Sequence, residues 1–553
     1  MKGFKALKSW RNDRRPLVES NSNDIQDVPD LIYDNTLTQN TLNTHEERGQ
    51  QSEEQITPPI TLQEAAHLLG VAPDALTSED GPLCSMRPDL NAERPVVHLM
   101  QISVDQHFPK TPADVDQNLQ RHLLNVQDAV REQLVRLDPR LHSEGLIQCY
   151  HRQIFEHLDD LLQNISSSQN HLLLIKWVLQ TYLSQDLLGH PGLQYTDPIK
   201  KVDLLLFTQW VSRAEEQFLK NVETENTRFL ENILQNERSH EAQDELYVDT
   251  IQCIDAMPRE ALKISSKLSD QAQEVCLREL LTFLTRYRDK QTDILAKTAK
   301  MNKPETKQFF KTLNNCKELK QHIHTKAIQT KESSLKDIIT KAVAMLENME
   351  AFTLKLLKEI IADIVESHLK KYFKSDNREF LYLIDEVKRL LSELSDYQDV
   401  QTRVMDEAYK LIAHIYFKRL IKISQRKLRK SWHPDVGQEV AKDAEHLHSI
   451  ISYLVPGVGQ WNVMLLKVGE LLDCKSLVAT KMTVASMQKE CYTWSEDLEL
   501  LPALLQWKGL SRWEIGEVQN VLEDLPGFQP RPKTASCFTR LLSCCTREST
   551  ATS

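Results

Sequence analysis

The chain has 553 residues, of which 41% are hydrophobic and 27% are charged, a composition typical of a soluble, folded protein. This length predicts roughly three or four packed units instead of a single core. The formal net charge of −11 argues against nonspecific binding of nucleic acid by the whole molecule. Only 14 glycines are present, so the tight loops with which many enzymes hold phosphates are scarce. We therefore expect no nucleic-acid partner, no metal and no cofactor.

Cysteine usage and hydropathy indicate a cytoplasmic protein. The ten cysteines are scattered, without a CxxC pair in the body of the chain, which fits reduced thiols better than a disulfide framework. The most apolar run, 171–179, is interrupted by Lys176 and falls well short of the ~20 residues of a transmembrane helix. No apolar stretch of the length of a secretory signal follows the basic start. Any contact with a membrane is therefore expected to be peripheral.

Residues 1–16 combine basic and large apolar side chains. Phe4, Leu7 and Trp10 recur every three residues. The positive side chains of the segment are Lys2, Lys5, Lys8, Arg11, Arg14 and Arg15. A helix of this sequence places an apolar stripe beside a cationic one, and each basic residue near an anionic leaflet contributes about 1 kcal/mol of binding. The segment is predicted to bind anionic membrane lipids, and the alternative is a solvated basic tail.

Residues 17–60 reverse the sign of the charge. They hold nine acidic side chains and a single base, Arg48. A stretch this polar cannot bury a core and is predicted to be disordered. Thr61 and Glu64 have the spacing of a capping box and predict a short helix over 61–69. We assign residues 1–95 as a basic and then acidic disordered N-terminal tail.

Helical periodicity dominates the remaining chain. Leu335, Ile339, Ala342 and Leu346 recur at steps of three and four and line one helical face. Predicted helices of the N-terminal bundles, residues 96–330, are 112–137, 143–166, 169–187, 197–238, 241–255, 258–298 and 304–328. Predicted helices of the C-terminal bundles, residues 331–525, are 335–373, 377–397, 399–430, 437–454, 459–472, 476–496, 499–507 and 511–523. The predicted fold class is all-α.

The predicted helix 399–430 ends in a strongly basic segment without an acidic residue. Its positive side chains are Lys418, Arg419, Lys422, Arg426, Lys427, Arg429 and Lys430. Ile415, Leu420, Ile421 and Leu428 form an apolar side that is expected to face the core. The basic side has two interpretations, a surface for an acidic partner or phosphoinositide and an ordinary solvated helix face.

The tripeptide His433-Pro434-Asp435 follows the basic segment and resembles the loop of J-domain cochaperones. That family needs a short helix before the basic one, and the continuous helix predicted over 399–430 leaves no room for it. A simpler interpretation is that Pro434 ends one helix and Asp435 helps to start the next. A cochaperone-like adaptor acting through this loop is kept as the alternative function.

Residues 526–553 are predicted to be a flexible tail because Gly, Pro and Lys replace the helical pattern. Cys537, Cys544 and Cys545 lie in this tail, close to Leu541. Cysteines beside apolar residues suit S-palmitoylation, which needs a second membrane signal for stable anchoring. The alternative is a set of unmodified thiols.

Catalytic motifs are missing from the sequence. His240 and Glu241 begin like a zinc-protease motif, but Asp244 occupies the position of the second histidine. No Walker lysine, nucleophile-elbow serine or kinase signature is present. We therefore expect a protein that is not an enzyme.

Several stretches, in the same order along the chain, resemble the exocyst complex component 3 family. They are Trp177–Pro191, Lys427–Lys430, Asp443–Glu445, Gly459–Trp461 and Leu504–Leu510. The sequence is most similar to the branch of exocyst component 3-like proteins and tumour necrosis factor alpha-induced protein 2. The resemblance extends over roughly residues 100 to 525, almost the whole helical body.

This resemblance implies an elongated rod of stacked helical bundles of the tethering-complex type, with disordered termini. Such proteins link vesicles to the plasma membrane and contact exocyst subunits, SNARE proteins and Ral-type small GTPases, without catalytic residues. The resemblance to the tumour necrosis factor-induced branch also implies phosphoinositide binding by lysines near the N-terminus, here Lys2, Lys5 and Lys8, and a role in remodelling actin-rich protrusions of the plasma membrane. The expected location is cytoplasmic and peripheral at the plasma membrane. The resemblance leaves open whether the chain is an exocyst subunit or a paralogue that acts outside the complex.

Overall fold

The structure is a computed structural model that describes residues 62–71, 93–141, 144–193, 198–236, 246–329, 333–374, 378–391, 394, 397–432, 435–491 and 499–523. Every regular element within these ranges is a helix. The prediction of an all-α fold is confirmed. Among the same residues, no helix combines the length and the apolar character needed to cross a membrane.

The first half of the described chain forms helices α1 to α9. Their bounds are α1 Leu62–Leu69, α2 Glu93–His107, α3 Val115–Leu141, α4 Glu144–Asn164, α5 Ser168–Lys176, α6 Leu204–Asn236, α7 Leu246–Leu262, α8 Ser266–Ala299 and α9 Lys307–Gln329. A π-helical turn, Trp177–Tyr182, continues α5. Short 3-10 turns follow at Pro191–Leu193 and Pro198–Lys201.

The second half forms helices α10 to α18. Their bounds are α10 Ser333–Tyr372, α11 Arg378–Leu391, α12 Gln398–Lys422, α13 Gln425–Ser431, α14 Val436–Leu454, α15 Val463–Asp473, α16 Leu477–Glu490, α17 Leu501–Lys508 and α18 Arg512–Glu523. Most of these helices were predicted to within a few residues because their apolar periodicity is strong.

Two predicted helix breaks lie elsewhere in the structure. The break predicted between 255 and 258 is wrong, because α7 runs through Pro258 to Leu262. The chain breaks instead before Ser265, whose hydroxyl caps α8 by accepting a hydrogen bond from the Leu268 N–H. Likewise, α3 passes through Pro139, where a break was predicted. A proline inside a helix removes one backbone hydrogen bond and crowds the carbonyl of the preceding turn, so α3 and α7 continue through these positions at a cost in stability.

The N-terminal part contains packed helices that the sequence assigned to a tail or missed. In α1, Ala65, Ala66 and Leu69 are buried in the core, although the predicted disordered tail extends to residue 95. Helix α2 was not predicted, and its Leu99 and Val104 are buried as well. The short helix predicted over 61–69 is confirmed. Burial of apolar groups is what orders segments this short.

The core consists of two hydrophobic clusters that meet along α10. The N-terminal cluster contains buried side chains from Ala66 to Met349, and the C-terminal cluster contains buried side chains from Leu295 to Val518. Helix α10 contributes its first half to the N-terminal cluster and its second half to the C-terminal cluster. The predicted domain boundary at residue 330 stays a prediction, and the apolar clusters change over within α10, close to Met349.

Ion pairs between α10 and α12 define how the C-terminal bundle is arranged. Glu350 of α10 contacts Arg403, and Glu366, four turns further along α10, pairs with Arg419. Both partners advance by the same number of residues, so the two helices run parallel. Helix α11 connects them and packs on α10. The C-terminal ends of α10 and α12 therefore lie at the same end of the bundle.

Candidate functional site

Two of the three predicted sites lie outside the described residues. The lipid-binding prediction for the N-terminal segment concerns Lys2, Phe4, Lys5, Leu7, Lys8, Trp10, Arg11, Arg14 and Arg15. The acylation prediction for the C-terminal tail concerns Cys537, Cys544 and Cys545. Both stay predictions.

The third predicted site, the basic segment, lies at the junction of α12 and α13. Lys418 and Lys422 are exposed and one helical turn apart on α12, and Arg426 and Lys427 are exposed on α13. Arg419 differs from them, because it forms an ion pair with Glu366 and is largely covered. The side chains of Arg429 and Lys430 lie outside the described residues.

A helix break, which the sequence did not predict, shapes this junction. The helix predicted over 399–430 is in fact two helices, since Ile423 adopts an extended conformation with φ of −100° and ψ of 137°. The indole N–H of Trp507 donates a hydrogen bond to the Ile423 carbonyl, which has lost its helical partner. Leu420 and Leu428 are fully buried, on either side of the break. The predicted core-facing side of the segment is confirmed, and the break turns α13 away from the axis of α12.

A second basic group, not predicted from the sequence, adjoins the first. Lys370 follows Glu366 by one helical turn, and Lys422 follows Arg419 by nearly one turn. Because Glu366 and Arg419 touch across parallel helices, these two lysines lie side by side beyond that ion pair. The signal was available in the sequence, since Lys370 and Lys371 close the last turn of a long helix.

We call Lys370, Lys418, Lys422 and Arg426 the basic surface. Within the described part of the chain, no carboxylate forms an ion pair with any of these four side chains. Lys371, by contrast, lies 3.8 Å from Glu379, which also contacts His368. The basic surface thus presents positive charge that the protein itself leaves uncompensated, as a surface for an acidic ligand requires.

A buried carboxylate links the helices that carry the basic surface. Asp443 of α14 accepts hydrogen bonds from the hydroxyls of Tyr372 and Tyr416, each at 2.5 Å. These contacts join α10, α12 and α14. Burial raises the pKa of Asp443 to about 6, although both hydrogen bonds act in the opposite direction. The Trp432 ring packs beside these aromatic side chains, and its centroid lies 5.4 Å from the centroid of the Phe373 ring.

The loop proposed for the cochaperone alternative is only partly described. His433 and Pro434 lie outside the described residues, whereas Asp435 is exposed at the start of α14. The helix before the loop is only seven residues long, and it buries Leu428 in the C-terminal cluster. The prediction of one continuous helix over 399–430 is therefore wrong, and it no longer argues against a J-domain. The helices on both sides of the loop nevertheless belong to the core of the whole bundle, not to a separate module.

Residues that carried the family resemblance act in packing. One carboxylate oxygen of Asp406 accepts hydrogen bonds from the Gly459 N–H at 2.7 Å and from the Trp461 indole at 2.9 Å. A Cβ atom at position 459 would meet the Trp461 indole nitrogen at 2.8 Å, so only glycine fits there. Further upstream, Tyr182 is buried and its hydroxyl lies 2.6 Å from His151 Nδ1. These residues therefore stabilise the packing between helices.

Helical bundles with an exposed cationic surface define a class of binding or scaffolding protein, because such a surface recognises acidic partners. Within the described ranges, no three histidine, cysteine or acidic side chains are grouped as metal ligands. The comparison with known families agrees with this class. Residues 127–509, well over half of the chain, match the family described as exocyst complex component Sec6. The chain belongs to this family, and the resemblance seen in the sequence is confirmed.

A solved structure shows the same fold. The crystal structure of M-Sec matches with a TM-score of 0.59 and 19% sequence identity, over 85% of this chain and 85% of that chain. At this identity the likeness establishes the helical architecture and nothing about ligands. The family match extends from α3 to the end of α17, so it includes the basic surface but neither terminal segment.

Proposed function

We propose that this protein is a peripheral tether that works at the plasma membrane in exocytosis or in the remodelling of membrane protrusions. The observation that carries the proposal is the Sec6 family match over residues 127–509. Membership of an exocyst family supports a role in vesicle tethering and contacts with exocyst subunits. The location that follows is cytoplasmic, with reversible attachment to the plasma membrane.

The basic surface is the proposed contact for acidic partners. A Ral-type GTPase, a SNARE protein or a phosphoinositide headgroup each presents negative charge, and Lys370, Lys418, Lys422 and Arg426 are exposed at one end of the bundle. Electrostatic complementarity of this kind accelerates association and selects among partners. Because the four side chains lie on helices buried in one core, the surface is held rigid before binding.

Affinity purification tests the tethering proposal most directly. Tagged full-length protein isolated from cells is expected to bring exocyst subunits with it. A variant with Lys418→Glu, Lys422→Glu and Arg426→Glu should keep the fold and lose acidic partners. Lys307→Glu, Lys336→Glu and Lys388→Glu form the matched control, since these lysines are also exposed but lie on other parts of the helices. Equal recovery of every partner by the two variants would exclude the basic surface.

The N-terminal lipid contact needs its own test. We expect full-length protein to bind vesicles that contain phosphoinositide, and Lys2→Glu, Lys5→Glu and Lys8→Glu together should weaken that binding severalfold. The charge change adds repulsion to the loss of attraction, so salt dependence should also fall. Undiminished binding by this variant would show that the N-terminal segment is not the lipid site.

Acylation of the tail is checked by acyl-exchange labelling of protein from cells. Labelling should decrease when Cys544→Ser and Cys545→Ser are combined, and it should decrease further with Cys537→Ser. Labelling that is the same for all variants would remove the palmitoylation proposal and leave the cysteines as ordinary thiols. The basic N-terminus would then be the remaining membrane signal at the chain ends.

A further inference from the structure

Three large apolar side chains are exposed together on helices α16 and α18. Val478, Met482 and Trp513 are 67%, 71% and 69% exposed. We call these residues the apolar ridge. Single exposed apolar side chains are common, but an indole and a thioether exposed to this extent beside each other are not.

The packing of α16 on α18 brings the three residues together. The ammonium group of Lys508 donates to the carbonyls of Leu472 and Cys474, so the end of α17 lies at the start of α16. Helix α18 begins four residues later, near the start of α16, and an ion pair about one turn into both helices shows that they run parallel. Lys481 of α16 then pairs with Glu517 of α18 at 2.8 Å.

That ion pair gives the position of each ridge residue. Trp513 lies one turn before Glu517 on α18. Val478 and Met482 lie one turn apart on α16, on either side of Lys481. All three side chains are therefore at the same edge of the helix pair, within about one turn of the ion pair.

The opposite faces of both helices are firmly packed, so the exposure of the ridge is not a result of poor folding. Thr480, Val484 and Met487 of α16 and Val518 of α18 are buried. The N-termini are also capped, because Ser476 accepts from the Ala479 N–H and Glu514 accepts from the Ser511 N–H. The ridge is thus an outward-facing surface on a rigid support.

Cations flank the apolar ridge. Lys475 and Arg512 are exposed immediately before α16 and at the start of α18. Among the described residues, neither forms an ion pair with a carboxylate. Of the acids nearby, Glu517 is paired with Lys481 and Glu514 accepts from Ser511, whereas Asp473 interacts with Lys475 through its charge. An indole and aliphatic groups beside exposed cations match the interface of an anionic membrane, where rings enter the headgroup region and cations meet phosphates.

We propose that the apolar ridge inserts into the headgroup region of an anionic membrane, as a second lipid contact far along the chain from the N-terminus. The proposal rests on the proposed function in one respect, that the protein works at a membrane. Chain continuity favours a lipid partner over a protein partner. Helix α18 leads directly into the tail with Cys537, Cys544 and Cys545, and acylation of these cysteines would hold this end of the protein against a bilayer.

The test uses full-length, unacylated recombinant protein and vesicles containing phosphatidylserine, in the Lys2→Glu, Lys5→Glu, Lys8→Glu background. In this background, Met482→Ser plus Trp513→Ser is expected to weaken vesicle binding about tenfold, since two large apolar groups no longer leave water. The matched control is Leu204→Ser plus Leu205→Ser, because these leucines are 65% and 66% exposed on another helix. The control should bind as its parent does.

A second measurement reports on insertion itself. With Trp10→Phe added to the same background, brominated lipids should quench tryptophan emission, and Trp513→Phe should remove that quenching while circular dichroism stays unchanged. Vesicle binding that is unaffected by the ridge variant would falsify the proposal and would leave a protein partner as the occupant. Binding that is lost already in the lysine background would also overturn the ridge while supporting the N-terminal site. A lysine variant that binds normally, combined with a ridge variant that does not bind, would sustain the ridge and refute the N-terminal site.

Discussion

The two hydrophobic clusters of this protein bury different kinds of titratable group. The N-terminal cluster encloses His122, His151, His157 and His171. His122 and His157 contact each other through their Nε2 atoms at 2.7 Å, so one ring donates and the other accepts. Burial lowers the pKa of all four imidazoles, and that of His157 falls to about 4. These rings are therefore neutral parts of the core at physiological pH.

The C-terminal cluster buries a carboxylate between aromatic rings instead. Asp443 is held by Tyr372 and Tyr416, and burial raises its pKa to about 6. Acidification consequently acts in opposite directions on the two clusters, because it charges the buried histidines and neutralises the buried aspartate. A protein with this arrangement is expected to lose its N-terminal packing first in acid, while the bundle that carries the basic surface persists.

The largest expected effect concerns the contact between the clusters. Glu350 of α10 is buried, with its side chain 5% exposed, and accepts from Lys320 Nζ at 2.9 Å and Arg403 Nη1 at 3.1 Å. Lys320 belongs to α9 and Arg403 to α12, so one carboxylate joins helices of both clusters. Glu350→Gln should lower the free energy of unfolding by about 3 kcal/mol, since two cations lose their counter-charge.

Denaturant unfolding monitored by circular dichroism measures this change. Glu347→Gln is the matched control, because Glu347 is exposed one turn earlier on the same helix. The control should change stability by less than about 0.5 kcal/mol. If both variants unfold at the same denaturant concentration, Glu350 does not couple the clusters.

Asp443→Asn tests the C-terminal side of the comparison. The pKa of Asp443 in the folded state, about 6, exceeds its ordinary value of 3.8, so the folded state holds the proton more tightly. Stability from this group therefore falls as pH rises from about 4 to about 6, by about 2 kcal/mol, and stays reduced above that range. Asparagine does not titrate and still accepts hydrogen bonds from both tyrosines. The variant should match or exceed the wild type in stability at pH 7.5.

The readout for Asp443→Asn is the difference in unfolding free energy between pH 4.5 and pH 7.5. The wild type should lose stability from this group between pH 4.5 and pH 7.5, and the variant should not. The variant should therefore gain stability relative to the wild type at the higher pH. A variant that is less stable than the wild type at pH 7.5, with the same pH dependence, would show that the buried carboxylate is stabilising in its charged form.

His157→Gln tests the N-terminal side. The folded-state pKa of His157 lies below its ordinary value of 6.5, so stability is lost as pH falls from about 6.5 towards about 4. Glutamine can replace the hydrogen bond to His122 without titrating. Between pH 7 and pH 5 the variant should lose about 1 kcal/mol less stability than the wild type. The matched control is His324→Gln, because His324 is an exposed histidine outside the core.

Helix identity could be read from the sequence because apolar spacing is a local property. The spacing of Leu335, Ile339 and Leu346 specifies α10 without reference to any other helix. The break at Ile423 could not be predicted in the same way, since its carbonyl is satisfied by Trp507, a residue distant in sequence. Helix α2 was missed for a related reason, because only packing against the rest of the core orders it.

The sequence alone predicts only part of the basic surface. Lys418 and Lys422 follow from charge counting along one segment, whereas Lys370 joins them only because α10 and α12 are parallel. Arg419 was placed in the same predicted surface, and no sequence pattern indicated that Glu366 neutralises it. Partners across helices decide which charges of a basic run are available to a ligand, and such partners are a tertiary property.

The smallest expected effect comes from an exposed ion pair between α10 and α12, the same two helices that the buried ion pair connects. Lys358 of α10 pairs with Glu407 of α12, but their side chains are 44% and 40% exposed. Water screens this pair, so Lys358→Ala should lower the free energy of unfolding by only about 0.5 kcal/mol, and 1 M salt should abolish that difference. Denaturant titrations at low and high salt measure both quantities. A loss as large as that of Glu350→Gln would mean that α10 and α12 depend on every ion pair between them, and that burial does not explain the role of Glu350.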